Sequence, residues 1–169
     1  MFKRFATPIV SVAIAGLVMY AGIVRAEDKD VDWAALQAAK VSLESGLAKA
    51  QQKGKPISGK FEMEDGKFQL STYTVRKGKF SEVIVDHTSG KVVKTEAIKD
   101  GEDYKDATAQ NKAMAKAKRS LRSAVAKAVA ANPGYRAVSA MPSLEQGKPV
   151  ATVILQKEAD KKTVSEKLD

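Results

Sequence analysis

The single histidine of the chain, His87, sits in the run Asp86-His87-Thr88-Ser89-Gly90. An acid, an imidazole and a hydroxyl are the ingredients of nucleophilic catalysis. A working triad, however, is assembled in space by a rigid scaffold that sets all three groups at hydrogen-bonding distance. Adjacency in one tight turn does not give that geometry. The simpler role is structural, with Asp86 accepting backbone N–H bonds across the turn and Gly90 taking a positive φ. The absence of cysteine removes thiolate chemistry and disulfides together. The chain reads as a non-enzyme without a cofactor.

Metal ligation has weak candidates. Asp100, Glu102, Asp103 and Asp106 form an acidic run, but the EF-hand order of ligands, central glycine and closing glutamate is missing. Glu62, Glu64 and Asp65 are expected along a strand edge. Such carboxylates are more often simply solvated, so no metal site is assigned. Metal binding through Asp100 and Asp103 stands as a lesser alternative.

Charge offers a stronger feature. The formal net charge is +9. Residues 107–169 hold 12 basic and 5 acidic side chains, whereas 27–106 hold 14 and 15. In a helix expected from Gln110 to Ala131, Lys112, Lys116, Arg119 and Lys127 project opposite the apolar stripe, flanked by Lys118 and Arg122. No acid lies in that stretch. The resulting strip would suit an acidic protein, an anionic membrane or a cell-wall polymer.

The elements that must position these residues follow from periodicity. Lys3 and Arg4, the uncharged run Ala6 to Val24 and the small residues of Val24-Arg25-Ala26 make residues 1–26 a secretory signal, cleaved after Ala26. The address is then periplasmic or secreted. Export, together with the lack of stacking aromatics, argues against nucleic acid as a partner.

Leu36, Ala39, Leu43, Leu47 and Ala50 recur at steps of three and four, which predicts a helix from about Trp33 to Gln52, capped by Asp32. Strands are expected at 57–64, 67–75 and 80–85, with Asp65-Gly66 as the first hairpin, and a shorter strand at 91–98. In the second helix Met114, Ala117, Leu121, Val125 and Ala128 each lie 78 residues after their counterparts, an internal repeat. Strands at 135–141, 150–155 and 163–168 complete the second copy, which lacks the final turn and strand.

A helix followed by a three-stranded meander that closes on hydrophobic-Asp-x-x-x-Gly-x-Val resembles the PepSY domain. Leu43, Leu47 and Ala50 carry the resemblance, with the Asp65-Gly66-Lys67 hairpin and Val83, Val85, Asp86, Gly90 and Val92. It covers about 65 residues of the first half and, more loosely, about 60 of the second. The implied fold is α+β: PepSY-like repeats at 30–99 and 110–169, each a helix on a small antiparallel sheet, joined by a linker at 100–109. PepSY domains occur as propeptides of thermolysin-type peptidases and as stand-alone envelope proteins. The resemblance therefore implies a non-catalytic binding protein that modulates or inhibits a peptidase or another envelope protein. A last edge strand that accepts an extended peptide is one route to such binding. The competing expectation is a surface-associated protein held to anionic material by the basic helix.

Overall fold

The computed structural model describes residues 31–169, so the expected signal segment 1–26 lies outside the described residues. Among these residues no helix is long and apolar enough to cross a membrane.

The chain begins with α1 (Trp33–Ala38), where the Asp32 side chain accepts the Ala34 N–H at 3.0 Å. Ala39 is extended, and a new helix, α2 (Leu43–Ala50), starts behind Ser42, whose Oγ accepts the Ser45 N–H. The single helix expected over 33–52 is thus two. The apolar period runs through the break undisturbed, so Leu36, Ala39, Leu43, Leu47 and Ala50 are all buried as expected. The break itself is tertiary: the N–H groups of Lys40 and Val41 both donate to the His87 carbonyl, at 2.9 and 3.0 Å.

Strands β1 (Lys55–Glu64), β2 (Lys67–Arg76), β3 (Lys79–Val85) and β4 (Val92–Ile98) form an antiparallel meander. The expected Asp65-Gly66 turn has φ of 49° and 73°, the left-handed pair that a two-residue hairpin needs.

Residues 100–109, expected as a linker, are instead largely helical and belong to α3 (Gly101–Lys116). Glu102 and Asp103 fall in its first turn, where carboxylates favour the positive end of the helix dipole. The second helix expected over 110–131 is likewise divided. Ala117 is extended, and α4 (Leu121–Ala130) starts behind Ser120, whose Oγ accepts the Ser123 N–H. Here Lys118 and Arg119 donate to the Leu168 carbonyl, at 2.7 and 3.0 Å. Strands β5 (Arg136–Glu145), β6 (Lys148–Lys157) and β7 (Asp160–Lys167) follow, again antiparallel.

The two halves do not build separate sheets. All seven strands form one antiparallel sheet in the order β4-β3-β2-β1-β5-β6-β7, joined in the middle by Gly59 opposite Ala140 and Lys60 opposite Ser139. The fold is α+β, dominated by this sheet.

Helices cover both faces. A Cβ on Gly59 would meet Leu43 and Leu47, so α2 packs on the Gly59 face, and α4 packs beside it. Glu166, which pairs with Lys127 of α4, lies on that same face through its register partners Ala151, Pro142 and Ala140. Ser58 points the other way, and its Oγ donates to Gln110 of α3 at 2.6 Å. The main core, including Leu43, Leu47, Phe61, Leu70, Leu121, Val125 and Leu155, fills the space between the sheet and the α2–α4 layer. Helix α3 lies alone across the opposite face, fixed by Tyr104 edge-on to Phe80 and by the Lys55 ammonium on the Met114 carbonyl.

Candidate functional site

The expected turn residues and the expected basic face lie in different settings. Asp86 Oδ1 accepts the backbone N–H groups of Ser89 at 2.6 Å and Thr88 at 3.3 Å. The Gly90 N–H donates to the Asp86 carbonyl, and Gly90 has φ 71°. The Ser89 hydrogen bonds hold the Asp86 carboxyl below its usual range. The His87 ring packs edge-on to Phe68 and has Thr88 Oγ1 at 3.5 Å, while Ser89 Oγ accepts from the Lys91 N–H. Asp86, His87 and Ser89 are thus each engaged by turn backbone or by other neighbours, not aligned in series. His87 matters through its carbonyl, which ties the α1–α2 break to the sheet.

The basic strip does not form. Lys112 and Lys116 are on α3, Arg119 is in the break, and Lys127 is on α4 across the sheet. Lys116 donates to the Gly147 carbonyl at 3.2 Å. Lys127 pairs with Glu166 at 2.6 Å, and the Glu166 side chain is only 9% exposed. The extended backbone at Ala117 rotates the second half of the expected face away from the first.

What the structure assembles lies on the α3 face of the sheet. Alternation along β1 puts Lys60, Glu62 and Glu64 there, and the hairpin registers bring Gln69, Ser71, Tyr73 and Glu82 beside them. Carboxylate oxygens of Glu62, Glu64 and Glu82 lie within 4.8 Å of one another. Each acid already has a protein donor: Lys60 on Glu62 at 2.6 Å, Gln69 on Glu64 at 2.5 Å, and Ser71 on Glu82. Burial pushes the Glu82 carboxyl up, with Glu64 and Glu62 adding to it and the Ser71 hydrogen bond opposing it. Burial would lower the Lys60 ammonium, but the Glu62 carboxylate, with Glu82 and Asp103, outweighs that and raises it. Tyr73 is raised, first by burial and then by Glu82. The tyrosine stays a neutral donor, and the acids and Lys60 form a compact charged lattice.

Beside this lattice, a groove of about 970 Å³ opens between α3 and strands β5 to β7. Its floor carries Met141, Val150, Thr152 and Ile154, and its α3 wall carries Asp103, Asp106 and Gln110. Lys60 and Tyr73 line the end nearest the carboxylates, and Lys148 and Lys167 also line it. Ser139, in the floor, is buried with no hydrogen-bond partner for its Oγ among the described residues. A buried hydroxyl left unpaired costs about 1–3 kcal/mol.

The alternation of β1 makes Glu62 and Glu64 readable as one face. The arrival of Glu82 depends on two hairpin registers, and the groove depends on α3 crossing the sheet. Comparison with known proteins returns no matching family model, no similar curated protein and no similar solved structure.

Proposed function

We propose that the protein is an exported, non-catalytic binding protein of PepSY type, which engages an extended segment of an envelope protein, a peptidase foremost, and modulates it. The observation that carries this reading is the groove on the α3 face, with apolar Met141 and Ile154 and the unpartnered Ser139 hydroxyl in its floor. Apolar floor with a few polar groups converging on it is the usual make-up of a recognition site. The outer strand β7 borders the same side of the sheet and offers backbone groups to a segment lying along it.

Support for a two-copy PepSY architecture comes from matched irregularities. The extended breaks at Ala39 and Ala117 and the caps Ser42 and Ser120 are 78 residues apart. The register shifts around Ile57 and Val138, and the positive-φ turns Asp65-Gly66 and Gln146-Gly147, are 81 apart. A three-residue difference in the helix-to-strand connection accounts for the change. Matched caps, bulges and turns are harder to produce by chance than matched apolar residues, because each requires a specific backbone conformation.

The test is a pull-down from envelope extract with the tagged protein, at low and high salt, beside the groove variant Met141→Glu. Recovery of one protein at both salts, lost in the variant, is the expected result. Recovery that vanishes at high salt and is indifferent to Met141→Glu would replace this reading with adhesion through exposed charge, since screening acts within about 10 Å at 0.1 M salt.

A further inference from the structure

The sheet ends on two outer strands, and they differ in how their edges are defended. Outer strands expose unpaired N–H and C=O groups, and proteins blunt them with unbalanced charge, proline, bulges or cover. On β7, Lys161, Lys162 and Lys167 supply charge, and the acid Glu166 is turned toward Lys127 of α4. On β4, Val92-Val93-Lys94-Thr95-Glu96-Ala97-Ile98, there is no proline, the one bulge lies at the start of the strand beside Val93, and among the described residues the strand pairs with β3 alone. Its two charges cancel: Lys94 and Glu96 are paired at 2.9 Å on one face. Both side chains are more than half exposed, at 59% and 53%. On the other face Val93 is 64% exposed, the most exposed large apolar side chain among the described residues.

The order of these residues is self-complementary. A two-fold axis through Thr95 sets a second β4 antiparallel to the first. Lys94 then lies opposite the Glu96 of the second copy, and Glu96 opposite its Lys94. On the other face Ala97 comes opposite the exposed Val93, which sits in the bulge that ends the regular run 94–98. No like charges are opposed within the paired strand. The same operation on β7, centred on Val164, sets Lys161 against Lys167 and calls on Glu166, which already serves α4.

We propose that β4 is a self-association edge, through which two copies of the chain join antiparallel about Thr95 into one continuous sheet. The edge lies at the far end of the sheet from β7 and the groove, so dimerisation leaves both free. The inference is independent of the reading of the groove.

The experiment uses protein purified after expression of the full chain, followed by sedimentation equilibrium at low salt. The wild type is expected to be a dimer. Lys94→Glu and Glu96→Lys each set two like-charge pairs across the axis, where opposite charges had contributed. Each should weaken the dimer about tenfold or more. In an equimolar mixture of the two variants, every mixed pair sets both acids of the first variant against both lysines of the second. That mixture is expected to restore association. It does not rebuild the Lys94–Glu96 pair within either strand, so recovery can come only from contacts between copies. Circular dichroism melts confirm that each variant is folded. A monomeric wild type at about 100 μM, single variants that associate as the wild type does, or a mixture that stays monomeric would each overturn the proposal.

Discussion

Glu82 is an acid placed where acids are costly, half-buried on β3 with Glu62 and Glu64 beside it. Its carboxyl is raised above the ordinary value by that burial and by those neighbours. The folded protein therefore holds the proton more tightly than the unfolded chain. Stability from this group is fully present below the ordinary carboxylate range, near pH 4, and is lost as pH rises through the raised folded-state value. At neutral pH the charge is a net burden. Glu82→Gln keeps the shape and the chance of a Ser71 hydrogen bond but removes the charge. It should melt at a higher temperature than wild type at pH 7, with the gap closing below about pH 4. Equal melting temperatures at pH 7 would mean that Lys60 already offsets the charge in full.

At the scale of elements, the helices carry the clearest test of how the core is built. Leu43 and Leu121 each sit one residue inside a Ser cap and are almost wholly buried. Either leucine changed to alanine should cost about 2–5 kcal/mol in chemical denaturation. A change near zero at Leu121 would show that α4 is not seated on the sheet. The same helices mark the limit of what could be read from the chain. Apolar spacing locates Leu36 to Ala50 and Met114 to Ala128 correctly as inward-facing, because burial repeats at the helical period whether or not the helix is continuous. It is blind to the breaks, which are made by two distant carbonyls, His87 and Leu168. Ser42 and Ser120 stand 78 residues apart, and their work as caps explains why a serine stands at each place. The strands of the first half were legible to within two residues, since Asp65-Gly66 marks their first turn, whereas β5, β6 and β7 have ends up to four residues outside the expected ranges. The acidic stretch after Asp100 misled in the other direction: its charge resembles a linker, yet Ala107 and Met114 of the same helix are buried against the sheet. The basic strip failed with the helix on which it was drawn.

For the whole molecule, the question is whether two similar halves behave as one. The central strand pair is short, but it is reinforced. Helix α2 packs on α4, the Arg136 guanidinium donates to the carbonyls of Gln37 and Val41, and the Lys55 ammonium donates to that of Met114. Each of these joins residues of one half to the other. Calorimetry should therefore show one transition, with equal calorimetric and van't Hoff enthalpies, as for a single cooperative unit. Two resolved transitions would make the halves independent domains that merely share an edge.

The strand order also governs how the molecule comes to exist. Five of the six strand pairings join neighbours in the chain, and β1 with β5 is the exception. Hairpins between neighbours form in about 1–10 μs. The meeting of Gly59 with Ala140 must wait for a far longer loop to close. Each half is thus a meander that zips early and then searches for the other. During that search the inner edges of β1 and β5 stand open, and the edge of β1 carries the bare backbone of a glycine. At high chain concentration this is the interval in which another copy can take the place of the chain's own second half.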